Sequence, residues 1–174
     1  MFSMKWSNIL LPIVVYILGT NILSKRPTGY NEVEIIGEES LKRYKNIILP
    51  GFMEYTETYK LYNLSDVLCV PSIPLYTKRL KWEEQFGYVF TEAMACGKPV
   101  VSTISGSIPE VVEDGGILVK PNDIKELTNT LESLYKDENL RNKIGKKAFN
   151  IAKQRYDSKI MSKKLAKLYY NLIK

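Results

Sequence analysis

Glu84 and Glu92 stand eight positions apart in the stretch EQFGYVFTE, with Gly87 between them and the run AMACGKPVVS directly behind. A carboxylate accepts several hydrogen bonds at once, so it suits a vicinal diol such as that of a ribose or a hexose. Glycine at position 87 lets backbone approach a ligand where a Cβ would collide. A helix that starts here presents free amides and the positive end of its dipole, a natural seat for phosphate. Two acids around such a start could grip the hydroxyls at both ends of a nucleotide-sugar while amides take the diphosphate. Each acid also has a plain reading. Glu84 could be a solvated loop acid, and Glu92 a carboxylate beside an apolar stripe that needs a partner if it is buried.

Composition narrows the chemistry. The 174 residues contain no histidine, which removes His-based acid/base work, Ser-His and Cys-His nucleophiles and the commonest transition-metal ligand. No metal and no cofactor is expected. The two cysteines, Cys69 and Cys96, lie in apolar runs without a CxxC-type neighbour, as in a reduced, cytoplasmic setting. The net charge of +6 is uneven: residues 120–174 hold 14 Lys and Arg against 6 Asp and Glu. A basic tail of this kind meets phosphorylated substrates, anionic membrane surfaces or nucleic acid, or is simply a solvated helix face. No nucleic-acid motif accompanies it, so no nucleic-acid partner is expected.

The elements that must position the acids can be read next. The length fits one domain over residues 1–174. The apolar run ILLPIVVYIL, residues 9–18, is about half the roughly 20 residues that a membrane span needs. It is expected to form a buried apolar helix over residues 8–24, with peripheral membrane contact as the other reading. Residues 32–37, 46–51, 66–71, 99–102 and 117–119 read as strands, with helices between them over residues 38–44, 56–64 and 87–96. The strand at 66–71 shows little alternation, the mark of a strand covered on both faces. Ser107 and Glu110 stand three apart, as a capping box at the start of a further helix. Residues 72–83, SIPLYTKRLKWE, read as a loop. The tail over 120–174 is helical, with apolar stripes through Ile124, Leu127, Leu131 and Leu134, through Leu140, Ile144, Ala148 and Ile151, and through Leu165, Leu168, Tyr169 and Leu172. Alternation of this kind predicts an α/β fold: a doubly wound, Rossmann-like parallel sheet with helices on both faces and a helical C-terminal tail. Ligands of such sheets sit at the carboxyl ends of the strands, where the loops before Gly87 and Ser107 both lie.

The stretch from Glu84 to Val101 resembles the Glu-x7-Glu signature of the retaining glycosyltransferases of group 1, which use nucleotide-sugars. Three flanking stretches are similar to further motifs of that family, in the same order: SDVLCVPS from Ser65, GSIPEVV from Gly106 and GILVKPND from Gly116. The resemblance covers residues 34–174. It implies a two-domain GT-B fold, of which this chain matches the second, donor-binding half, the N-terminal acceptor domain being absent. It implies that Glu92 holds the ribose and that Glu84, the catalytic position, holds the transferred sugar. Phe86, Gly87, Tyr88 and Ser107 would contribute contacts to the sugar and phosphates. The implied donor is UDP- or GDP-linked, and the implied reaction is hexosyl transfer with retention for polysaccharide or glycoconjugate synthesis. The leaving phosphate would assist attack by the acceptor, without a protein nucleophile. An acceptor-domain partner is implied. The expected location is cytoplasmic, and the basic tail and apolar N-terminal segment permit, without requiring, peripheral contact at the inner membrane face.

Departures from the pattern are specific. The family's upstream arginine and lysine have no match here, which leaves Lys78, Arg79 and Lys81 as candidate replacements. Ser107 stands where glycine is usual, and the segment between Ser72 and Glu83 is stretched. The chain alone is therefore not expected to be a complete enzyme. A non-catalytic nucleotide-sugar-binding or scaffold protein, or an inactive remnant, is the alternative.

Overall fold

The computed structural model describes residues 15–17 as backbone, and residues 54–76 and 81–173. The strands and helix expected over residues 32–51, and the cations Lys78 and Arg79, lie outside the described residues. β1 (Val15–Ile17), β2 (Val67–Val70), β5 (Val100–Thr103) and β6 (Gly116–Val119) form a parallel sheet in the order β1-β2-β5-β6. Leu68 pairs with Val100, and Val101 with Ile117.

Val15–Ile17 corrects the helix expected over residues 8–24. This part of the run is a strand, with Tyr16 paired to Leu68. The segment Val14-Val15-Tyr16-Ile17 is β-branched and aromatic, a composition that fits a pleated, buried surface better than a helix. Short apolar runs do not separate the two by periodicity.

The helices are α1 (Thr58–Leu64), α2 (Tyr88–Ala95), α3 (Ile108–Val112), α4 (Ile124–Lys136), α5 (Glu138–Ile151) and α6 (Ser158–Ile173). A 3-10 turn over Tyr55–Glu57 leads into α1, and a π-turn over Ala152–Tyr156 follows α5. Two short strands, β3 (Leu75–Tyr76) and β4 (Lys81–Trp82), pair as an antiparallel hairpin where a plain loop was expected.

The unalternated strand is explained by two cores. Leu68, Val70 and Val100 face one core with Tyr62, Phe90, Ala93, Met94, Ile108 and Ala148. Val67, Cys69 and Val101 face the other, with Leu134, Ile144 and the half-buried Leu127, Leu131 and Leu140. Of the three tail stripes, the first two turn inward apart from Ile124, which is exposed. The third does not: Leu165, Leu168, Tyr169 and Leu172 are exposed, and α6 buries no residue.

Cys69 lies in the second core, 2% exposed. Burial pushes its thiol from 9.0 up to about 12, because desolvation disfavours the thiolate. The folded state therefore holds this proton more tightly than the unfolded one. Its contribution is whole below pH 9 and is lost as pH rises toward 12. By pH 10.5 the loss is expected to reach about 2 kcal/mol. Urea titrations of wild type and Cys69→Ala across pH 8 to about 10.5 check this: the alanine variant should lack that part of the slope.

Candidate active site

At the carboxyl ends of the strands, side chains tie β5 to β2. The Ser102 hydroxyl donates to the Val70 carbonyl at 2.6 Å, and Thr103 donates to the Ser72 carbonyl. The chain beyond β5 turns at Gly106, whose φ of +52° is left-handed. A Cβ there would stand 2.1 Å from the Glu84 carbonyl oxygen, so only glycine lets the two backbones meet. Ser107 completes the contact. Its N–H donates to the same carbonyl at 2.9 Å, and its hydroxyl at 3.2 Å. Gln85 N–H donates to Glu84 Oε1 at 3.2 Å. Glu84, called from the sequence as the sugar-binding and catalytic acid, is thus held by the loop before α3.

Ser107 does stand at the start of α3, but its side chain caps nothing there. The expected Ser107–Glu110 capping box is not formed. The hydroxyl goes instead to Glu84, where it meets a carbonyl that would otherwise share a single donor. A cleft of about 770 Å³ opens beside this junction, lined by Tyr76, Lys81, Glu83, Glu84, Gly106 and Ser107 among others. Lys81 is the one of the three candidate cations that lies among the described residues, and it is on the cleft.

Gly87 precedes α2 with φ +72°, and a Cβ on it would stand 2.4 Å from Phe90 Cε2. No side chain caps the start of α2. The rings of Phe86 and Tyr88 lie 5.1 Å apart, tilted by 58°. Phe86 packs its ring edge-on to Tyr156 at 5.6 Å, and Tyr88 is exposed. Tyr156 is itself braced, donating to the Val111 carbonyl at 3.0 Å, with the Arg155 guanidinium 5.4 Å from its ring centre.

Glu92, one and a half turns into α2, is not among the residues lining the cleft. Its Oε1 accepts from the Tyr55 hydroxyl at 2.9 Å, and its Oε2 from the Tyr62 hydroxyl at 2.8 Å. The bond to Glu92 raises the pKa of Tyr55 above the ordinary tyrosine value. The two tyrosines were not singled out in the sequence. They lie 37 and 30 positions before Glu92, and only a folded sheet brings them there. Among the described residues, no group of three or more His, Cys, Asp or Glu could hold a metal ion. No helix among them is long and apolar enough to cross a membrane.

Residues 13–151 match the profile of the family described as Glycosyl transferases group 1. The chain belongs to that family. Among relatives of this group 1 glycosyl transferase, the D-inositol 3-phosphate glycosyltransferase of Corynebacterium jeikeium is 33% identical over 150 residues, covering 83% of this chain and 33% of that protein. The N-acetyl-alpha-D-glucosaminyl L-malate synthase of Bacillus anthracis is 31% identical over 114 residues, covering 64% of this chain and 29% of that protein. The chain therefore spans about a third of the length of the curated relatives it matches. Sucrose-phosphate synthase from Thermosynechococcus elongatus superposes with a TM-score of 0.64 at 21% identity, covering 91% of this chain and 38% of that one. That likeness shows the fold, one Rossmann-like half of a GT-B architecture.

Proposed function

We propose that this group 1 glycosyl transferase chain is a donor-binding half: it takes a UDP- or GDP-linked hexose, and transfer proceeds with retention. The observation that carries the reading is the seating of Glu84 on Gly106 and Ser107 at the carboxyl ends of β2 and β5. That seat fixes the backbone of Glu84 at a cleft that Glu84 helps to line, next to the start of α2, whose amides no side chain caps. In the reading, Glu84 holds the transferred sugar, and Glu92 the ribose. The amides at Phe86–Tyr88 and Ser107 meet the sugar and the diphosphate, and Lys81 supplies positive charge near it. The chemistry then lies in positioning and charge stabilisation rather than in a protein nucleophile. The acceptor binds to a second half, on this polypeptide's continuation or on a partner chain, at the inner face of the membrane or in the cytoplasm.

Calorimetric titration with UDP, GDP, ADP and their glucose or mannose conjugates tests this. One nucleotide is expected to bind, and Glu92→Gln to weaken it at least about tenfold, or about 1.4 kcal/mol. Binding that is indifferent to Glu92→Gln would remove the ribose role. No binding of any of them would remove the donor site.

A further inference from the structure

We infer that Glu92 is one member of a three-residue diol clamp, in which Tyr62 fixes the carboxylate and Tyr55 holds, in the unliganded protein, a place that a ribose hydroxyl takes. This rests on the donor-site reading above. Both oxygens of Glu92 already accept from hydroxyl groups, at 2.9 and 2.8 Å. That is the arrangement a vicinal diol would make with a carboxylate, one hydroxyl to each oxygen. An ionised carboxylate has about four acceptor positions, so the tyrosines leave room for further hydroxyls without being driven off together.

The two tyrosines differ in their freedom to move. Tyr62 is 3% exposed and belongs to the first hydrophobic core, so its hydroxyl is a fixed donor that sets the carboxylate's orientation. Tyr55 is 74% exposed and sits on a single 3-10 turn that buries no residue. Its side chain can swing away without loss of packing, exchanging one hydroxyl on Oε1 for another. Tyr62 is therefore a positioning residue, and Tyr55 a movable competitor for the ligand's own hydroxyl. The hydrogen bond also keeps Tyr55 protonated to higher pH than an ordinary tyrosine.

The test is calorimetric titration of wild type, Tyr62→Phe and Tyr55→Phe with UDP and GDP, and with the 2′,3′-dideoxy form of each. Wild type is expected to prefer the ribonucleotide at least about tenfold over its dideoxy form. Tyr62→Phe, which keeps the buried ring, is expected to bring that preference below about threefold while leaving the dideoxy affinity unchanged. A merely structural loss would weaken both ligands alike. Tyr55→Phe is expected to tighten the ribonucleotide about threefold and to leave the dideoxy form unmoved. Should Tyr62→Phe not fold, the same ratio measured in Tyr62→Met decides the point, since methionine also fills the buried site while removing the hydroxyl donor. A wild type that discriminates ribose, with a ratio that no Tyr62 variant alters, overturns the clamp alone. Weakening of the ribonucleotide by Tyr55→Phe overturns the competitor role. A wild type that binds no nucleotide overturns the donor reading, and the clamp with it.

Discussion

Gly106→Ala is expected to lower stability by about 2–4 kcal/mol and to weaken binding at the Glu84 cleft in the same step. Two costs add. A left-handed φ of +52° suits glycine, and alanine held there costs about 1 kcal/mol or more. The larger part is steric. The new Cβ would stand 2.1 Å from the Glu84 carbonyl oxygen and 3.0 Å from its nitrogen and carbon. All three are backbone atoms, so no flexible side-chain end can step aside. The segment carrying Glu84 must lift, and both Ser107 hydrogen bonds, at 2.9 and 3.2 Å, lengthen with it. Losing them costs about 1 kcal/mol each. Because the Glu84 carboxylate rides on that backbone, nucleotide-sugar affinity should fall even where the variant remains folded. Thermal unfolding and nucleotide-sugar titration on the same preparation check the pair. Wild-type stability in the variant would mean that the two loops are not in contact.

Phe90→Ala is expected to remove about 3–5 kcal/mol, the range for emptying a buried aromatic site. Phe90 is fully buried in the first core. Its ring also forms the floor under Gly87, where a Cβ would lie 2.4 and 2.5 Å from Cε2 and Cδ2. The void would thus open directly beneath the turn that leads into α2. Alternative packing is restricted, since Ala93 and Met94 beside it are themselves fully buried. Urea unfolding should show a lower midpoint with an unchanged slope. A loss below about 1 kcal/mol would mean that the neighbours close the gap, contrary to the tight packing around it.

Much of this architecture was open to a reader of the bare sequence, for a physical reason. Val67–Val70 is apolar on successive residues because both of its faces are covered, and a run without alternation reports that condition. The start of α2 was marked by Gly87, and the acids by their spacing. What could not be read depends on contacts that are distant in sequence. Ser107 looked like half of a capping box because that rule sees three residues ahead. Its real partner, the Glu84 carbonyl, is 23 positions away. Tyr55 and Tyr62 gave no local sign at all. The β3–β4 hairpin has strands of two residues, too short for any periodicity to register. The strand at Val15–Ile17 was hidden by the length of its apolar run, and the neighbouring β-branched residues were the cue that outweighed it. Amphipathic spacing in α6 was legible, but spacing marks a face without saying whether anything covers it.

The placing of α5 has a consequence for how the molecule comes apart. This helix gives Ile144 to one core and Ala148 to the other. A sheet with an independent helical layer on each side could shed one layer and keep the other as a partly folded state. A helix shared between the layers removes that route, because peeling it from one side strips the other as well. The two cores are thus stitched into a single cooperative unit that melts together. α6, which buries nothing, stays outside that unit and can fray without loosening the seat of Glu84.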